Sequence, residues 1–173
     1  MKLKAECVIA SPDPRKQKMT PERSPRMLAR EWLQRGKLAQ SPIDAFTDFW
    51  RAFNNLYSAH PGVREIERVR AFLMASVPSV AAATILSSHQ EQIDYLLSQP
   101  VSDMRGNGRN TKTAVAAFRA GGGHQEKLCE LFTIIYQVRC NLQHGQKSPT
   151  VDRDLRLCEC SAPVVAEVVA CSV

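Results

Sequence analysis

The sequence predicts an all-α fold, and three observations carry that prediction. Apolar residues recur at spacings of three and four over several long stretches, two Ser-Pro pairs stand where helices would begin, and no hairpin signal or internal repeat interrupts the pattern. A chain of 173 residues with 44% hydrophobic and 23% charged residues has the make-up of one ordinary globular domain, which excludes a wholly disordered chain. At that length about two-thirds of the extended chain's surface can be buried, so the core needs no metal or disulfide staple.

Residues 1–22 hold Pro12, Pro14 and Pro21 among charges, show no helical period, and read as an extended or disordered basic arm ahead of a helical domain over 23–173. Ser24-Pro25 supplies an N-cap and an N1 proline before Leu28, Trp32 and Leu33 on one face, and Gly36 supplies a stop. Ser41-Pro42 repeats the signal, with Asp44 at the capping-box position. It opens a strongly amphipathic helix through Phe46, Phe49, Trp50, Phe53, Leu56 and Tyr57 that His60-Pro61-Gly62 ends. A third helix spans about 63–76, with Val63, Ile66, Val69, Phe72 and Leu73 inward and Arg64, Glu65, Glu67, Arg68 and Arg70 outward, until Pro78 closes it. A fourth, rich in alanine, covers 79–98. Gly106-Asn107-Gly108-Arg109-Asn110 is loop chemistry, a short helix follows over 111–120, and Gly121-Gly122-Gly123 reads as a flexible hinge. The longest clean pattern runs from His124 to Gly145. A last helix begins near residue 150, and Pro163 is expected to bend or break it.

Charge is distributed unevenly. Residues 1–40 carry ten Lys/Arg against four Asp/Glu while the remainder has thirteen of each, so the net charge of +6 is entirely N-terminal. Such an arm suits a polyanion such as nucleic acid, because bound Lys and Arg release condensed counterions; the alternative is a solvated tail that keeps the chain soluble. No stretch approaches the ~18 consecutive apolar residues of a membrane span, and the N-terminus lacks the apolar core of a signal peptide. These features lead to the expectation of a cytoplasmic chain without membrane contact, in which the six cysteines read as reduced thiols. Cys140 and His144, with Cys158-x-Cys160 downstream, make a poor zinc set, since Cys-x-Cys on a helix points its thiols about 200° apart. Neither a metal nor a cofactor is expected.

The residue that asks for a functional reading is Arg139. With Leu128 at the centre of the apolar arc of its helix, Arg139 falls only about 20° away, where an unpaired guanidinium would be costly to bury. It needs an anion, and the plain structural option is an acidic residue of a neighbouring helix such as Asp48, Asp152 or Asp154. Five residues on stands His144, with Gly145 behind it as a helix stop.

Tyr136-x-x-Arg139-Cys140-Asn141-Leu142-Gln143-His144-Gly145-x-Lys147, followed by a helix opening with Asp152 and Asp154, resembles the Arg-x-x-x-x-His signature of the HEPN superfamily. The helix Phe46-x-x-Phe49-Trp50-x-x-Phe53-Asn54-x-x-Tyr57 is similar to the first long helix of bacterial HEPN proteins. The resemblance covers roughly 24–173 and implies an antiparallel bundle of four to five helices that pairs through a two-fold axis and cuts RNA without a metal, as a stress or phage-defence toxin with an antitoxin partner. Pairing is also plausible on geometry. Residues five apart differ by about 140° around a helix, so Arg139 and His144 share no face unless the last turn unwinds, whereas two copies meeting there bring both pairs into one cleft. In that cleft one His144 acts as base on the RNA 2′-hydroxyl, the other as acid on the leaving 5′-oxygen, and Arg139 donates to the oxygens that gain charge. Family members often place a polar residue directly after the arginine; here Cys140 stands there, with Asn141 one further. Asn141 either orients the scissile phosphate or caps the helix end, and Tyr136 either stacks on a base or packs in the core. Lys147, Arg105, Arg109 and Lys112 are the basic candidates to line an RNA path, with solvated loop charge as the alternative. A rival reading keeps the bundle without catalysis, as a module that binds a nucleotide, RNA or a partner protein.

Overall fold

The computed structural model describes residues 23–145 and 151–173. Among these residues the chain forms eight helices and no strand: α1 (Pro25–Lys37), α2 (Pro42–Tyr57), α3 (Glu65–Ser76), α4 (Ser79–Ser88), α5 (Gln90–Ser98), α6 (Lys112–Ala120), α7 (His124–Gln143) and α8 (Asp152–Ala170). The expected all-α class is therefore observed, while the basic arm lies outside the described residues. No single helix among them is long and apolar enough to cross a membrane.

Both Ser-Pro signals act as capping chemistry predicts. Ser24 Oγ accepts from Met27 N at 3.3 Å and Ser41 Oγ from Asp44 N at 3.1 Å, each followed by its proline in the first turn. Gly36 has a different role from the expected stop. It lies inside α1, and a Cβ there would stand 2.5 Å from the Phe49 ring, so glycine permits the close approach of α1 to α2. Across that contact the buried Asp48 pairs with Arg35 Nε at 3.1 Å and Arg51 Nη1 at 3.0 Å, and both guanidinium groups lie 5.0 and 4.8 Å from the centre of the Trp32 ring. Two charges that face one carboxylate thereby also cover an aromatic side chain.

The helix expected over 79–98 divides at His89, whose φ of −117° and ψ of 29° are not helical. The break has a packing cause: α4 packs chiefly on α7 and α5 on α8, which one straight helix cannot do at once. His89 Nε2 stands 3.1 Å from Glu167 Oε2 of α8 at the corner. Pro163, expected to bend or break the last helix, does not break it: α8 runs on through that position. Proline costs a helix interior about 3 kcal/mol. Burial of Ala162, Val164, Val165, Val168 and Val169 around it, at about 25 cal/mol per Å² of apolar surface, offsets that cost.

The helices form two packed groups. In one, α2 lies against α1 and α8, with α5 on α8; in the other, α7 lies against α3, α4 and α6. An aromatic cluster joins them. Phe53 of α2, fully buried, has ring centroids of Tyr57 at 4.9 Å, Phe132 of α7 at 5.0 Å, and Trp50 and Phe72 of α3 both at 5.4 Å. This joint fixes where the end of α7 sits relative to α2 and α3.

Candidate functional site

Helices α3 and α7 run antiparallel, as the side chains along their seam record. Gln125 Nε2 donates to the Val77 carbonyl at 2.7 Å, Arg70 Nη1 meets Glu130 Oε1 at 2.8 Å, and Arg139 Nη1 meets Glu65 Oε2 at 2.9 Å. The first residue of α3 therefore faces the last turns of α7. There the Glu65 carboxylate accepts from three groups: Arg139, the Tyr136 hydroxyl at 3.4 Å, and the Tyr57 hydroxyl at the end of α2. Burial, then the hydrogen bond to Glu65, pushes the Tyr57 phenol far above its ordinary range. Burial, then a hydrogen bond with Cys140, does the same to Tyr136. Both phenols are thus neutral donors at any physiological pH.

Arg139 is anchored and partly open. Its side chain is 21% exposed, its guanidinium carbon lies 5.7 Å from the centre of the Trp50 ring, and it walls a groove of about 380 Å³ between α2 and α7. Ile43, Phe46, Trp50 and Leu142 give that groove an apolar lining, with Arg51 and Gln143 adding polar groups. The acidic partner is none of the three that the sequence suggested. Asp48 is taken by Arg35 and Arg51, and the partner is Glu65, which the helical pattern had assigned to the solvent side of α3. The available clue was weak: a carboxylate in the first turn of a helix is favoured by the dipole wherever it points.

His144 caps α7 in an exposed position, and Gly145 follows at φ 67°, donating to the Leu142 carbonyl at 3.0 Å. That left-handed conformation is one glycine adopts freely, and it ends the helix where the sequence put the stop. Because α7 stays helical through Gln143, Arg139 and His144 diverge by about 140° and do not converge within one protomer.

Asn141 lies on another flank of α7 and is buried. Its Nδ2 donates to the Ser102 carbonyl at 2.7 Å, while Oδ1 accepts from Met104 N at 3.3 Å and Gln137 Nε2 at 3.0 Å. The side chain thus neither caps the helix nor lines the groove; it ties down the loop over 99–111. Asp103 organises that loop from within, accepting from Arg105 Nε at 2.9 Å, Arg105 Nη2 at 2.6 Å and Asn107 Nδ2 at 2.7 Å. Those hydrogen bonds hold its carboxyl well below the usual carboxylate range. Arg105 is therefore half exposed but already paired, whereas Arg109 and Lys112 are exposed on the loop and at the start of α6. Tyr136 is half-buried, its ring 6.2 Å from Trp50 and its hydroxyl on Glu65. Lys147 lies outside the described residues. The structure brings Tyr136 and Arg139 together and places His144 one turn beyond, with Asn141 on a separate flank. Glu65 and Tyr57 complete the cluster, and sequence reasoning had not assigned either to it. Among the described residues no three His, Cys, Asp or Glu side chains are grouped to hold a metal ion.

Comparison with protein-family models, with curated proteins and with solved structures finds no match to this chain.

Proposed function

We propose that the chain is an endoribonuclease of the HEPN type, with a composite site formed where two copies meet at the C-terminal end of α7. The observation that supports this reading is Arg139, a guanidinium set into an otherwise apolar helix face and opening on a groove, with an exposed imidazole one turn beyond. In this reading four or five of the helices form the antiparallel bundle, and a two-fold axis beside α7 supplies the pairing that one protomer's geometry requires.

The chemistry follows from residue types. An RNA 2′-hydroxyl becomes a nucleophile when its proton leaves, and imidazole accepts a proton near neutral pH. One His144 takes that proton as the 2′-oxygen attacks phosphorus; the partner's His144 protonates the departing 5′-oxygen. Arg139 donates to the phosphate oxygens that gain charge. The products are a 2′,3′-cyclic phosphate and a 5′-hydroxyl, and DNA resists because it lacks the 2′-hydroxyl. The basic arm adds salt-dependent affinity for RNA, and an antitoxin would restrain such an activity in the cytoplasm.

The test is substitution. Purified protein cleaves single-stranded or transfer RNA in EDTA, and Arg139→Ala and His144→Ala each stop cleavage while helicity and dimer mass stay unchanged. Cleavage that survives either change refutes the mechanism. A second reading, a non-catalytic module that binds a nucleotide, RNA or a partner protein, is favoured by the ion pair that already engages Arg139 and by Cys140 beside it. Salt-dependent RNA binding without any cleavage products would select it.

A further inference from the structure

We propose that Glu65 is a positioning residue: its carboxylate, itself fixed by the hydroxyls of Tyr57 and Tyr136, sets the orientation in which Arg139 meets a phosphate at the groove between α2 and α7. The inference rests on the nuclease reading and adds to it a residue from a different helix.

The geometry supplies the argument. Three donors from two helices converge on one carboxylate that stands at the first position of a third. Two of those donors are neutral hydroxyls, so they restrict where the carboxylate sits without cancelling its charge. A guanidinium is a rigid plane with five N–H donors. Once Glu65 holds Nη1 and the Trp50 ring lies near the guanidinium carbon, the plane of Arg139 has little freedom left. A phosphate entering the groove then meets the remaining donors in a prepared direction. Because Tyr57 and Tyr136 tether the carboxylate, it stays in place when the phosphate arrives, giving a line of carboxylate, guanidinium and phosphate.

This arrangement acts oppositely on the two kinetic constants. The negative charge of Glu65 opposes ground-state binding of a polyanion, while its hold on Arg139 favours the transition state. Glu65→Gln keeps the shape and removes the charge, so KM falls while kcat drops roughly ten- to a hundred-fold, the scale on which small misplacement of a reacting partner is felt. Tyr136→Phe keeps both the charge and the ring but loosens the carboxylate, so kcat falls with KM unchanged. Glu130→Gln breaks the Arg70 pair further along the same α3–α7 seam and leaves both constants as they were.

The experiment measures cleavage of a dye- and quencher-labelled single-stranded RNA of mixed sequence in EDTA, binding of its non-cleavable 2′-deoxy counterpart, and thermal melting of each variant. Lower kcat with tighter binding in Glu65→Gln, and unchanged constants in Glu130→Gln, establish the role. Wild-type kcat in Glu65→Gln or Tyr136→Phe, with Arg139→Ala inactive, overturns it and leaves the nuclease reading standing. A rise in kcat for Glu65→Gln also overturns it, since Glu65 would then be an inhibitory plug. Equal losses in Glu65→Gln and Glu130→Gln that track melting reduce Glu65 to a structural ion pair. No cleavage by the wild-type chain removes the nuclease reading, and this inference with it.

Discussion

Replacement of Asn141 by alanine separates the structural role found here from the catalytic role its position in the motif suggests. The substitution removes three hydrogen bonds, to the Ser102 carbonyl, from Met104 N and from Gln137 Nε2. Each contributes about 1 kcal/mol net, and a buried group left without a partner costs about 1–3 kcal/mol. Two corrections reduce the sum. Ser102 and Met104 belong to exposed residues, so their freed backbone groups can turn to water, and alanine is the better helix former by several tenths of a kcal/mol. The expected net loss is about 2 kcal/mol, which for a domain of this size lowers Tm by roughly 4–8 °C. Because the loss is local, amide exchange reports it best. The amides of Asp103 and Thr111, which bond to the Arg109 and Val101 carbonyls at 2.8 and 3.0 Å, exchange faster, while those at the centre of α7 follow only the global change. An Asn141→Ala protein with unchanged Tm and unchanged loop exchange that has nevertheless lost RNA cleavage would refute the structural account and move Asn141 to the phosphate.

Two further outcomes follow from the same structure. Phe53→Ala removes the ring on which both helix groups converge and is expected to cost about 3–5 kcal/mol of the 5–15 kcal/mol that holds a domain of this kind together; a loss below about 1.5 kcal/mol in urea unfolding would show that the aromatic cluster is not the joint. Tyr57 and Tyr136 have folded-state pKa values raised above the unfolded value of about 10, so their contribution to stability is complete below that pH and is lost as pH rises past it, when the unfolded chain releases protons the folded chain keeps. Phenolate absorbance from these two residues should therefore appear together with loss of helical dichroism in an alkaline titration, and its appearance with helicity intact would contradict their burial.

How far the sequence alone reaches depends on whether a feature is local. Ser24-Pro25, Ser41-Pro42 and Gly145 act through backbone groups within a turn of themselves, and their reading as helix starts and a stop needs no knowledge of the fold. The spacing of Phe46, Phe49, Trp50, Phe53 and Tyr57 likewise determined that α2 has an apolar face, and the position of Arg139 on such a face determined that it would need an anion. Tertiary structure decided what those faces meet. The split at His89 arises because two halves of one alanine-rich stretch pack on different helices. The need for glycine at position 36 comes from Phe49, thirteen residues away. The antiparallel seam brings Glu65 to Arg139, seventy-four residues on, with hydroxyls from Tyr57 and Tyr136 closing over it. Periodicity along one helix reports which side is apolar, but not which charged residue of another helix will lie opposite, because that is set by the crossing of whole elements and not by the chain's immediate neighbours.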